Sequence, residues 1–155
     1  MAKKTVPDVF VEGARKGWHI WSLSTLPNVL MAFIIIHMLT ISGLLDLIGR
    51  VFAPVMGLFG LPGEAFAVLV SAWMSMGGGV GAAAGLYGAG ILTGVHIGIL
   101  LPAIFLMGSQ IQFMGRCLGT AEVNTRHYPI LFAMSIINAF ISMIIMRILI
   151  GIFGA

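Results

Sequence analysis

Charge is what this sequence lacks most. Only 13 of its 155 side chains carry a formal charge, 8 Lys and Arg against 5 Asp and Glu. That is 8%, where an ordinary soluble domain has about 25%. Hydrophobic residues make up 59% and mean hydropathy is +1.09, so too little polar surface exists to cover a water-soluble domain. The net charge of +3 is too small and too scattered for a nucleic-acid face. A single cysteine, Cys117, rules out an intramolecular disulfide and a zinc cluster. There is no Gly-x-Ser-x-Gly elbow, Walker loop, HExxH pair or di-aspartate site. The four histidines (His19, His37, His96, His127) stand in separate segments without ligand spacing. No catalytic residue, metal or cofactor is therefore expected, and the reading is against an enzyme. The first apolar run, near Leu23, has no small-x-small exit, so no cleavable signal peptide is expected.

What the chain does have is apolar length. A spanning helix needs roughly 20 apolar residues, and 155 residues allow about three to five passes, some incomplete. The expected fold is an all-α integral membrane domain, polytopic, with amphipathic surface helices and one or two broken or re-entrant helices. Residues 1–22 read as a basic amphipathic segment on the membrane surface. Phe10, Ala14, Trp18 and Trp21 fall on one helical stripe, Glu12 and Lys16 pair at i,i+4, and tryptophans beside cations suit the headgroup layer. The remainder, 23–155, is the membrane domain.

Leu23 to Leu45 is the first complete span expected, with Asn28 and His37 inside it. Leu44 to Met56 is amphipathic, with an Asp46–Arg50 pair across its polar face and Pro54 expected to kink or end it. A breaker cluster, Gly60-Leu61-Pro62-Gly63-Glu64, then opens a helix to about Met76. At ~1.5 Å per residue that helix is well short of the ~30 Å hydrocarbon core. It runs into Gly77-Gly78-Gly79-Val80-Gly81, where each glycine costs ~1 kcal/mol of helix propensity. A re-entrant hairpin or a discontinuous span is expected here, with tight small-residue packing as the alternative.

His96 to Phe113 is apolar but interrupted at Pro102 and again at Met107-Gly108-Ser109-Gln110-Ile111-Gln112. Shifting the chain by 31 residues lays Val68-Leu69 on Ile99-Leu100, Ala72 on Ala103 and Met76-Gly77 on Met107-Gly108. Paired interruptions of hydrophobic segments point to a midplane site in transporters. A polar loop, 116–128, leads to the last span, 129–153. There Ser135, Asn138 and Ser142 make a polar stripe, and Arg147 is expected to snorkel to the span's end. Lys3, Lys4, Arg15 and Lys16 favour a cytoplasmic N-terminus. A re-entrant middle puts Arg116 and Arg126 on that same side, in keeping with the positive-inside rule.

The run Met107-Gly108-Ser109-Gln110, followed by Gly119-Thr120-Ala121-Glu122-Val123-Asn124-Thr125-Arg126-His127 and a final helix, resembles the spore maturation protein B group. That group belongs to the nucleoside-recognition, or Gate domain, membrane proteins. Leu61-Pro62-Gly63-Glu64-Ala65, Ser75-Met76-Gly77-Gly78 and Gly115-Arg116-Cys117-Leu118 extend the likeness over nearly the whole chain. The resemblance implies a helical fold related to part of the concentrative nucleoside transporters, and a companion subunit of the spore maturation protein A kind. Relatives carry Gly-Ser-Thr-Glu-Thr where this chain has Gly108-Ser109-Gln110-Ile111-Gln112. With Ile111 at the acidic position, the resemblance does not by itself assign a nucleoside ligand or the same coupling ion.

The expected function is an inner-membrane subunit of a transporter for a small solute, nucleoside-like or another polar metabolite, acting with an A-type partner, as a homo-oligomer, or both. The candidate solute-binding residues are Ser75, Gly77, Gly78, Gly79, Gly108, Ser109, Gln110, Gln112 and Asn138. The alternative is a non-transporting membrane scaffold, in which the glycines only permit close packing.

Overall fold

The computed structural model describes residues 5–118 and 121–153. The chain is an all-helical membrane protein, and no strand occurs among the described residues. Helix α1 (Val6–Ile20) continues without a loop through a π-helical turn, Trp21–Thr25, into α2 (Leu26–Ile41). The surface segment and the first span are thus one helical run, joined by a wider turn rather than a break. No α1 residue is buried. Phe10, Trp18 and Trp21 stay uncovered by protein, and Lys16 pairs with Glu12 at 3.0 Å as expected.

Helix α2 ends earlier than the apolar run suggests, and among the described residues it is long and apolar enough to cross a membrane only when counted together with the helix that follows, not as the complete span expected over 23–45. Gly43 takes φ +72°, a left-handed conformation that side chains disfavour, and α3 (Leu44–Gly57) leaves α2 at 91°. Pro54 lies inside α3 without ending it, and Asp46 and Arg50 form no ion pair among the described residues. Gly49 and Gly63 let the following turn close onto α3, because a Cβ on Gly63 would overlap the Gly49 carbonyl. Phe52 stacks on Phe66 with ring centres 3.5 Å apart.

Helix α4 (Ala65–Met74) and α5 (Met76–Gly88) meet at Ser75, whose backbone is extended. In a continuous helix Ala72 and Gly79 would stand ~10.5 Å apart along the axis. Here a Cβ built on Gly79 would lie 2.5 Å from the Ala72 Cβ, so α5 folds back against α4. The break is a single residue, and the glycine run expected to be unwound is helical. Gly79 fits against Ala72, and Gly81 against Val29 and Ala32. Tight small-residue packing and a helix break are both present, on adjacent residues.

The contacts also set directions. Gly81 meets Val29 and Ala32 while Gly85 meets Phe33 and Ile36, so α2 and α5 run the same way. Helix α6 (Gly94–Met107) starts at Thr93, whose hydroxyl accepts from the His96 N–H at 3.4 Å, and His96 Nδ1 accepts from the Thr93 N–H at 3.2 Å. It carries Pro102 without interruption. Helix α8 (Tyr128–Phe153) is antiparallel to α6, since Ser135 meets Leu106 and Ile150 meets Gly98. Hence α4 and α5 form a hairpin entering from the side of α3, and residues 121–127 lie on the side where α2 begins. By length and composition Gly94–Phe113 and Thr125–Phe153 suffice to cross a membrane, and the bent α2–α3 pair would make a third span.

Arg147 does not simply snorkel. Its guanidinium donates to the carbonyls of Gly57, at 3.5 Å, and Leu58. A cation there complements the negative end of α3, and α8 is tied to the end of that helix.

Candidate functional site

The second helix interruption sits directly on the first. Gly108 is extended and Ser109 adopts φ +59°, after which a short α7 (Gln110–Phe113) resumes. A Cβ on Gly108 would overlap the Ile104 carbonyl and press on the Met76 side chain, so only glycine permits this approach. The Met-Gly pairs related by 31 residues therefore flank their breaks differently. Met76 opens the helix after one, and Met107 closes the helix before the other.

Interrupted helices leave backbone groups without partners, and in an apolar medium each must be satisfied. The two breaks largely satisfy each other. The Ser109 N–H donates to the Ala72 carbonyl at 2.8 Å, and the Ser109 hydroxyl accepts from the Met76 N–H at 2.8 Å. Gln112 Nε2 donates to the Met74 carbonyl at 3.1 Å. Ser75 caps its own helix, its hydroxyl accepting from the Gly78 N–H at 3.4 Å. The Gly77 N–H makes no hydrogen bond among the described residues. The carboxylate of Glu64 plays no part, lying instead against Gly49.

Gln110 is 9% exposed, the one buried polar side chain among the described residues. Its Oε1 accepts from Trp73 Nε1 at 3.0 Å and its Nε2 donates to the Phe132 carbonyl at 3.3 Å. Trp73 in turn packs edge-on against Phe132, ring centres 5.7 Å apart. This amide ties the tip of α4 to α7 and α8 from the side away from the cavity.

A pocket of about 340 Å³ opens at the crossing, lined by Thr25, Val29, Ser75, Met76, Gly77, Val80, Ser109 and Gln112. Of the candidate residues, Ser75, Gly77, Ser109 and Gln112 come together on its wall. Gly78, Gly79 and Gly108 are buried beneath it in helix contacts, Gln110 is engaged elsewhere, and Asn138 is exposed on α8, which supplies no part of the lining. Thr25 and Val29 were not anticipated. The available signal was the hydroxyl run Ser22, Ser24 and Thr25 ahead of α2, on a π-helical turn of the kind that often marks function. The side chain of Asn28 lies outside the described residues. A second hollow, about 200 Å³ between α4, α6 and α8, is lined only by apolar side chains such as Phe66, Met107 and Phe140. It offers a polar solute nothing.

Similarity gives this all-helical membrane domain a family: the model of the nucleoside-recognition family, Gate, matches residues 22–155, and this protein belongs to that family. Among individual relatives, it is 53% identical over 148 residues to inner membrane protein YjiG of Escherichia coli strain K12, covering 96% of this chain and 97% of the relative. The protein of the same name from Escherichia coli O157:H7 matches equally. No solved structure matches the chain at a significant level.

Proposed function

We propose that this chain is a subunit of a bacterial inner-membrane transporter for a small polar solute, and that the pocket at the crossed breaks is its solute site. The observation that carries this is the convergence of Ser75, Gly77, Ser109 and Gln112 from two separate interruptions onto one cavity. The wall presents hydroxyls, an amide and the amino end of α5, groups that bind and orient a solute rather than make or break its bonds. Gly78, Gly79, Gly108 and Gln110 act by holding the two breaks together. The cavity is open and one chain supplies only part of a wall, which favours completion by a spore maturation protein A-like partner. Alternating access then comes from rocking against that partner, with the N-terminus cytoplasmic.

The test combines flux with access. Proteoliposomes holding both subunits are screened for uptake over a broad metabolite panel. Single cysteines at Ser75, Gly77, Ser109 and Gln112, in a Cys117→Ser background, are probed with a water-soluble maleimide. Solute-dependent flux with labelling that the solute suppresses supports the proposal. A second reading, a non-transporting scaffold, is favoured by one observation: Ser109 and Gln110 already spend their hydrogen bonds within the protein. It predicts no flux and cysteines silent to aqueous reagents.

A further inference from the structure

Helix α1 stands apart from the packed core, and none of its residues is buried. At ~100° of turn per residue, Asp8, Glu12, Arg15, Lys16 and His19 fall within one arc of about 100°. Val6, Val9, Phe10, Trp18 and Ile20 spread over the opposite side, an arc of about 180° on the same geometry, and all five are exposed. Apolar surface of that size is unfavourable in water. Sharply segregated faces on a helix of low overall apolarity mark a helix that lies in a membrane interface rather than across it. Helix α2, which follows, is apolar throughout.

The two helices are one run, continuous through Trp21–Thr25. At ~1.5 Å per residue the stretch from Val6 to Ile41 is ~54 Å long, against ~30 Å for the hydrocarbon core. Laid straight along α2, α1 would carry its apolar arc out into water. The run contains a place to bend. Trp21–Thr25 is π-helical, and a π-helical turn is one of the few features that kink a helix sharply. Trp18 and Trp21, ring centres 5.2 Å apart, sit at this junction, and indoles favour the boundary between hydrocarbon and water.

We propose that α1 lies flat in the bilayer surface on the side where α2 begins, with the π-helical turn as its elbow. Its apolar arc is sunk among the lipids and its charged arc faces the headgroups and water. Two features select lipid over a second protein. A helix docked on protein buries a stripe of about 100°, and this arc is nearly twice as wide, which fluid hydrocarbon covers and one neighbouring helix does not. The arc is also continuous with a lipid-facing surface already in place, since α1 runs without a loop into a helix of the membrane domain. Within the polar arc Asp8 and Glu12 offset Arg15 and Lys16, and Lys16 bonds Glu12 at 3.0 Å. The seat therefore rests on apolar burial rather than on attraction to anionic lipid. Thr25 closes the elbow and also lines the pocket at the crossed breaks, so the seated α1 fixes one edge of that cavity. The placement stands whether or not the chain transports.

The test is spin labelling of the full chain at single cysteines, Cys117→Ser throughout, alone in liposomes of zwitterionic lipid and in membranes of the expressing cells. Every labelled position is exposed. Access of oxygen, which concentrates in hydrocarbon, is compared with access of a water-soluble nickel chelate. Labels at Val6→Cys, Phe10→Cys and Ala14→Cys should favour oxygen and report one common depth, ~5–10 Å below the headgroup boundary. Labels at Arg15→Cys and His19→Cys should favour nickel. Three results would overturn the proposal. Nickel access at every position would put α1 in water. A depth that changes steadily from Ala14 to Val6 would make α1 an upright extension of α2. A Phe10→Cys label closed to both reagents, in either membrane, would give the arc to protein instead of lipid.

Discussion

The hydroxyl of Ser109 accepts a hydrogen bond from the backbone N–H of Met76 at 2.8 Å, so the residue that breaks one helix caps the start of another. The two interruptions form one structure. Neither is stable alone in an apolar medium, because each leaves the donors or acceptors that the other supplies.

Replacing Ser109 tests that coupling. Ser109→Ala removes the acceptor for Met76 and is expected to cost ~1–3 kcal/mol, read as a lower thermal midpoint in detergent. Ser109→Gly loses the same bond but relieves the left-handed backbone, worth ~1 kcal/mol. It should melt above the alanine variant. Equal midpoints would mean the φ of +59° carries no penalty.

Gln110→Leu separates the buried amide from the pocket. It keeps the bulk but leaves Trp73 Nε1 without its acceptor, costing ~1–3 kcal/mol and shifting tryptophan emission. If solute affinity falls while Trp73 emission stays unchanged, Gln110 faces the solute after all.

Two glycines of like chemistry should respond in opposite ways. Gly79→Ala places a methyl 2.5 Å from the Ala72 Cβ and 2.7 Å from its Cα, an overpacking worth ~1–3 kcal/mol. Gly17→Ala in α1 has nothing within 4 Å and gains ~1 kcal/mol of helix propensity. Thermal melts of both, with circular dichroism for the second, check this pair.

Arg147→Ala removes the donor at the Gly57 and Leu58 carbonyls. A loss of ~1.5–3 kcal/mol is expected for a charged hydrogen bond, with faster proteolysis between residues 57 and 63 as α3 loosens. Arg147→Lys should recover part of it, and unchanged cleavage would show the tether is idle.

Low pH should fray the start of α1. Asp8 accepts from the Thr5 hydroxyl and from the Thr5 N–H at 3.0 Å, and these bonds hold its carboxyl below the ordinary value of 3.8. Because the folded pKa is depressed, the stabilisation is present above the ordinary value and is lost as pH falls through the folded one. Carbon-13 titration of the Asp8 carboxyl, with helix content followed in parallel, reads both. Asp8→Asn should abolish the pH response.

Much of the architecture was legible beforehand because apolar length and polar interruption are local properties. Residues 129–153 read as a span and form α8, and the Leu44 to Met56 pattern forms α3. The glycine run was expected to unwind, on propensity, but propensity is about 1 kcal/mol per residue and close contact with Ala72, Val29 and Ala32 outweighs it. Pro54 was expected to kink or end its helix and Pro102 to interrupt one, and both lie inside helices that continue past them.

Sequence alone pointed to a membrane domain, through 8% charge and 59% apolar residues, and to helices interrupted twice near the middle, through the order of its apolar runs, glycines and amides. Tertiary structure decided what the interruptions are for. Only folding brings Ala72, Ser75 and Met76 to Gly108, Ser109 and Gln112, seats Gln110 on Trp73, adds Thr25 to the cavity and leaves Asn138 outside it. The physical reason is that a backbone group without a partner is intolerable in hydrocarbon, and which distant residue becomes that partner is a matter of three-dimensional proximity that no local pattern encodes.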